Sequence, residues 1–272
     1  MTVANADCLM GLAGLPEACA QLVYLDPPFN TGKKRSYNDT FGPIGRYLEY
    51  MRPRLSLMHR ALGPSGSLFF HCDWRVSHAI KLLLDEIFDV QIGAGSRSLR
   101  QGGAFVNEII WHYGLGAARG KRTLMSKHDV IFWYAKTRDY VFNIQRGEPT
   151  SAMLKKYCHI DETGRRYMMS YGKRYALKGG KALDDVWDVP AISPTSRERV
   201  GYETQKPLAL LNRIISLASN AGDLVIDPFC GSGTTLVAAQ VLGRRWQGFD
   251  ISADAVATAS NRLAMLADSA AS

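Results

Sequence analysis

The 272-residue chain lacks a long apolar segment and a signal-peptide pattern, which argues against a membrane span or a secreted precursor. It has little cysteine, and what there is does not pair. Cys8, Cys19, Cys72, Cys158 and Cys230 are odd in number, scattered, and never at a Cys-x-x-Cys or other zinc-ligand spacing. They read as reduced thiols of a cytoplasmic protein. Acidic residues are also short: 25 Asp and Glu stand against 33 Lys and Arg, giving a net charge of +8. An excess of this sign points towards a polyanionic partner. The apolar fraction of 46% suffices for a real core, so a disordered chain is excluded.

The most informative stretch is residues 22–30, Leu-Val-Tyr-Leu-Asp-Pro-Pro-Phe-Asn. Its apolar, partly β-branched start reads as a buried strand. Pro27 and Pro28 stop the ladder, because neither has an N–H and both fix φ. Asp26 and Phe29 then sit on a stiff turn at the carboxyl end of a strand, where open α/β sheets bind ligands. An ionised Asp26 only accepts hydrogen bonds, and nearby carbonyls freed by the prolines also accept. Two acceptors beside an aromatic face suit a planar ring with an exocyclic amino group. An Asp-capped turn with no chemistry is the alternative.

A second strand, residues 224–227, also ends in an acid, Asp227, and enters Pro-Phe-Cys-Gly-Ser-Gly-Thr-Thr at 228–235. Glycines allow close backbone approach to a ligand, and the following helix, 234–242, has Thr234 placed as its cap. The spacing is not the dinucleotide fingerprint, and there is no Gly-Lys-Ser/Thr, which argues against NAD and ATP. The next strand, 245–250, ends in Asp250, where an acid commonly binds ribose hydroxyls. Turn, helix and strand-end acid together suit an adenosine-containing ligand without a pyrophosphate.

Asp26-Pro-Pro-Phe29, the 227–235 turn and Thr204-Gln205-Lys206-Pro207 resemble the β-class amino-group DNA methyltransferases, in the same order. The likeness runs from Asp7 to about Leu266. It implies S-adenosyl-L-methionine as cofactor and N6 of a flipped-out adenine in double-stranded DNA as target. Asp26, Pro27, Pro28 and Phe29 would be catalytic. Phe229, Gly231, Ser232, Gly233, Thr234, Asp227, Asp250 and 204–207 would hold the cofactor, together with Asp7 and Cys8. For Asp7, helix capping is the other reading. N4-cytosine methylation, RNA methylation and a catalytically silent DNA-binding module are the alternatives. The absence of a Pro-Cys dipeptide argues against 5-methylcytosine chemistry. Relatives often dimerise, and some have a restriction endonuclease partner; the sequence leaves both open here.

In chain order, helices are expected at 7–12, 47–62, 76–88, 207–218 and 253–266, with further strands at 2–6, 66–72, 106–112 and 129–135. Pro53 is expected to kink or delay the second helix. This alternation gives an α/β fold with a mostly parallel sheet and helices on both faces. Residues 2–7 look like the strand missing after the last helix, so the sheet is a circularly permuted, Rossmann-like methyltransferase sheet. Three parts are expected: 1–139 catalytic, 140–203 a target-recognition insertion, and 204–272 cofactor-binding. The insertion mixes aromatics with cations, Arg165, Arg166, Lys173 and Arg174 among them, and nine Lys/Arg face three acids between 145 and 181. Lys33, Lys34 and Arg35 beside the catalytic turn, and Arg119, Lys121 and Arg122 in a glycine-bearing loop, are the other expected DNA contacts. Solvated charge and structural padding are the plain alternatives for these segments. His71, at a strand end, reads as packed or hydrogen-bonded rather than catalytic.

Overall fold

A computed structural model describes residues 1–33, 38–90, 103–114, 122 and 124–271. Lys34, Arg35, Arg119 and Lys121, all expected to touch DNA, lie outside the described residues, as does most of the expected 91–103 loop. The chain forms two compact units, Asn143–Asp184 and the remainder. Among the described residues no helix is long and apolar enough to cross a membrane.

The larger unit begins with β1 (Thr2–Asn5), α1 (Cys8–Ala13), β2 (Ala20–Leu25), α2 (Ile44–Ala61), β3 (Leu62–Cys72), α3 (Ser77–Ile87), β4 (Ala104–His112) and β5 (His128–Ala135). The smaller unit holds α4 (Ser151–Lys156) and strands β6 (His159–Ile160), β7 (Arg166–Ser170) and β8 (Lys173–Ala176). The chain then returns as β9 (Val186–Asp188), α5 (Leu208–Ala218), β10 (Leu224–Asp227), α6 (Thr234–Val241), β11 (Arg245–Asp250) and α7 (Ala253–Ala271).

The sheet order is β1-β11-β10-β2-β3-β5-β4-β9. From β1 to β3 all neighbours are parallel, while β5 runs antiparallel to both β3 and β4. β1 lies parallel beside β11, with Thr2 opposite Gln247 and Asn5 opposite Asp250. The first strand in sequence thus completes the sheet after the last one, which is the expected permutation.

Alternation along β2 explains the two cores. Val23 and Leu25 point into the layer of α1, α2 and α3, with Leu12, Met51, Leu55 and Ile80. Leu22 and Tyr24 point into the layer of α5, α6 and α7, with Leu211, Ile214, Leu236 and Leu263. Helices therefore cover both faces, as the crossover connections of a parallel sheet require.

Several boundaries move from the expected ones. α2 starts at Ile44 and passes through the exposed Pro53 without ending. β3 starts at Leu62, four residues early. Pro207 is the N-cap of α5 rather than a residue of its first turn. Thr234 does not cap α6: it is the first helical residue, and Gly233 is the cap with φ 78°. The inserted unit is Asn143–Asp184, shorter than 140–203, because the segment after it rejoins the sheet. There β9 pairs in parallel with β4, and Trp187 is buried opposite Trp111. That accounts for the acidic 184–188 run, whose Asp188 meets His112 Nδ1 at 2.6 Å.

The smaller unit has an antiparallel sheet of order β6-β7-β8, and none of its aromatic side chains is buried. It is held largely by backbone, as in the Arg146–Ala182 bridge and the Gly147 N–H to Lys181 C=O bond at 3.0 Å.

Candidate active site

β10 and β2 are parallel neighbours, with Val225 opposite Leu22 and Ile226 opposite Val23. Their carboxyl ends release the Asp227 and Asp26 turns side by side, although about two hundred residues separate them in sequence. A cavity of about 230 Å³ opens there. Of the expected cofactor residues, all but Pro207 and Gly233 line it, and Asp26 and Pro28 form part of its wall. Phe29 borders instead a second space of about 310 Å³, with Asp73, Trp74, Tyr113, His128 and Asp129. The Asp-Pro-Pro-Phe turn thus separates two openings.

The glycine turn is tied down by its own amides. The Gly231 N–H donates to Asp250 Oδ2 at 2.8 Å, and the Cys230 N–H donates to the Phe249 carbonyl at 3.0 Å. Asp250 Oδ1 also accepts the Ser252 N–H at 2.9 Å, so the expected ribose acid is first a brace for the turn. Gly233 has no room for a side chain: a Cβ would stand 2.6 Å from the Ala259 Cβ. Arg262 on α7, unremarked in the sequence, donates to the Ser232 carbonyl at 2.7 Å and Thr234 Oγ1 at 3.1 Å.

Asp227 is buried and accepts the Phe229 N–H at 3.0 Å. Burial pushes its carboxyl up to about 7, against the pull of the Thr235 hydroxyl and the Phe229 amide. An acid raised in this way keeps its proton up to about neutral pH, and a positive charge beside it would draw it back to the ionised form. Burial also lifts the Cys8 thiol to about 11 and the Cys230 thiol further, so neither is a nucleophile. Asp7 is held twice: the Leu9 N–H donates to Oδ1 at 2.7 Å, and Arg54 Nη2 donates to Oδ2 at 2.9 Å. Arg54, mostly buried, lies 3.6 Å over the Tyr50 ring.

Around Asp26 the structure assembles groups the sequence did not connect. Lys206 donates to Oδ2. Oδ1 is buried and has no hydrogen-bond partner. His71 Nδ1 stands 3.8 Å from it. His71 is fully buried, with Nδ1 2.8 Å from the Tyr24 hydroxyl and Nε2 3.2 Å from Asp129 Oδ2. An ionised Asp129 can only accept, so Nε2 carries the proton and Tyr24 donates to Nδ1. Burial and the neighbouring Asp26, Asp227 and Asp129 push Tyr24 well up, which keeps that proton on its oxygen. Burial would raise Asp129, but the hydrogen bond from His71, with the nearby Lys206, outweighs it and holds the carboxyl low. The Phe29 ring lies 5.8 Å from His71 and 5.7 Å from Lys206 Nζ. His71 is thus both packed and hydrogen-bonded, as its place at a strand end suggests, and the structure adds which residues it meets. The readable signal was Asp129, an acid opening a strong apolar strand.

The expected DNA contacts are dispersed. Lys33 borders the second opening, and Arg122, Arg165 and Lys173 are exposed. Arg166 donates weakly to the Tyr157 carbonyl at 3.4 Å. Arg174 pairs with Asp161 and lies 4.0 Å over Tyr167, so it braces its own unit.

A family model described as DNA methylase, for N6/N4 methyltransferases, matches residues 20–261. The chain belongs to the N6/N4 DNA methylase family. The type II methyltransferase M.EcaI of Enterobacter cloacae is 29% identical to it, over 90% of this chain and 65% of its own length. The DNA adenine methyltransferase YhdJ of Escherichia coli (strain K12) is 27% identical, over 96% of this chain and 82% of its own. The chain thus spans slightly under two thirds of M.EcaI. A solved DNA modification methylase of Thermus thermophilus, complexed with S-adenosyl-L-methionine, has the same fold, with a TM-score of 0.63 at 22% identity over 97% of this chain and 93% of that one.

Proposed function

We propose that this family member methylates the exocyclic N6 of a flipped-out adenine in double-stranded DNA, with S-adenosylmethionine as methyl donor. The observation that carries the reading is Asp26 itself: a carboxylate on the cavity wall, at the turn whose Phe29 borders the second opening, with one oxygen that makes no hydrogen bond. The cavity residues fit the cofactor. Gly231 gives close backbone approach, and Asp227 and Asp250 are two acids on the wall of the same cavity. When bound, S-adenosylmethionine supplies a methyl group already activated by its sulfonium charge.

The chain's own contribution is then orientation. Asp26 accepts one amino hydrogen and the Pro27 carbonyl the other, which draws the nitrogen lone pair out of ring conjugation. Phe29 stacks on the base and limits its tilt. Reaching the amino group costs a few kcal/mol of unstacking, so the base must be held once extruded. Methylation leaves an extra proton on the nitrogen, and the Asp26 carboxylate receives it. Adenine rather than cytosine is supported by Asp before Pro-Pro and by the likeness to YhdJ. The 143–184 unit, with its cations and aromatics, serves as the target-recognition element.

The test is methyl transfer from labelled S-adenosylmethionine to genomic DNA, with nucleoside analysis of the product. N6-methyladenine is expected, with Asp26→Ala losing about 10²–10³ or more in rate. N4-methylcytosine would overturn the adenine assignment. Incorporation into RNA alone, or no incorporation, would overturn the DNA reading.

A further inference from the structure

The 143–184 unit carries one feature that its own packing does not explain. β7 and β8 are joined by a two-residue loop, with Ser170 paired to Lys173. Both loop residues have positive φ, 47° at Tyr171 and 71° at Gly172. This is the pattern of a type I′ hairpin turn, whose first position ordinarily holds Asn, Asp or Gly because a bulkier side chain is strained there. Here it holds tyrosine, and that residue is 99% exposed. At that exposure the ring packs against nothing among the described residues that would offset the strain, so its partner is to be sought outside the chain.

Charge says what that partner is. Between 145 and 181 there are nine Lys/Arg and three acids, and Lys173, next to the turn, is exposed. Arg174 is held by Asp161 and Tyr167, which stiffens the ribbon behind the tip. A two-stranded ribbon has the width to enter a major groove. An aromatic ring next to phosphate-binding cations stacks on bases with little regard to sequence. We propose that Tyr171 is a wedge: the hairpin tip enters duplex DNA, its ring stacks against bases, and Lys173 pairs with a phosphate. This rests on the reading that DNA is the substrate.

The experiment uses the full chain and a duplex carrying the site that the wild type methylates. Glycine suits the left-handed turn, so Tyr171→Gly removes the ring while the hairpin keeps its conformation and its melting temperature. Tyr171→Gly and Tyr171→Ala are expected to weaken duplex binding about 5- to 100-fold, and Tyr171→Phe to restore it. The salt dependence should stay as in the wild type for the Tyr171 variants, and its slope should fall by about one for Lys173→Ala. A duplex with an abasic site opposite the target should recover much of the Tyr171→Gly loss, since its unstacking is already done. A wild type that binds and methylates DNA, with Tyr171→Gly equal to it in affinity, overturns the wedge alone. A wild type with no affinity for DNA overturns the methylation reading and the wedge with it.

Discussion

Lys206 and Asp26, 180 positions apart in sequence, form an ion pair in which the ammonium donates to Oδ2. Both side chains are mostly buried, at 13% and 16% exposure. The segment leading into α5 therefore grips the Asp-Pro-Pro-Phe turn through Oδ2, while Oδ1 is buried towards His71 and makes no hydrogen bond. Removing one partner strands a charge, which costs about 3 kcal/mol or more in buried pairs. Lys206→Met should lower stability by roughly that amount in urea unfolding. Adding Asp26→Asn to it should return part of the loss. Additive single effects would show that the two groups are not coupled.

Asp227 makes the pH behaviour specific. Its carboxyl lies at about 7 in the fold against an ordinary 3.8, so the folded chain holds this proton more tightly than the unfolded chain. The stabilising contribution is complete below the ordinary value and is lost as pH rises towards 7. Unfolding followed from pH 4 to pH 8 should show this decline, and Asp227→Asn should flatten it. A cationic cofactor lowers the same group, so binding should release close to one proton at pH 6 and almost none above pH 8. Calorimetry in buffers of different ionisation heat measures that release. A proton count of zero at pH 6 would place the positive charge away from Asp227.

In the proposed reaction His71 would act by positioning, since its hydrogen bonds go to Asp129 and Tyr24. His71→Leu keeps the volume but leaves a buried carboxylate and a buried hydroxyl without partners, a loss of about 2–4 kcal/mol. Asp129→Asn keeps an acceptor for Nε2 and should cost less. In methyl-transfer assays both should lower kcat more than they raise KM for the cofactor. A change confined to KM would mean that His71 shapes only the cavity.

Gly233 combines a left-handed φ of 78° with a wall 2.6 Å from any added Cβ. Gly233→Ala should cost about 2–4 kcal/mol from strain and overpacking together. Ala259→Gly removes the clash but not the backbone strain, so it should restore only part of the melting temperature. Full restoration would show that the turn tolerates a Cβ.

Much of this was legible locally. Apolar runs that stop at Asp26, Asp227 and Asp250 are strands ending at carboxyl-edge turns, because the breakers sit in the same few residues. The permutation was legible too, since 2–6 has a strand pattern ahead of the first helix, and that strand is the one that pairs with β11. Helix starts were less so. Thr234 has the chemistry of a cap, but the left-handed turn made Gly233 the cap and placed Thr234 inside α6. The acidic 184–188 run gave no local sign of a strand: Trp187 has a place in the sheet only because β4 is already there to pair with it.

By itself, then, the sequence determined the class of fold, the order of its elements and the two turns that meet at the site. Tertiary structure alone decided what stands around Asp26. Periodicity and breakers act over a few residues, whereas the Lys206 pair, the His71–Asp129 bond and the bracing of Ser232 by Arg262 join residues 30 to 180 positions apart. Which of the many Lys, His and Arg side chains meet is set by strand register and by helix faces, and those exist only once the sheet has formed.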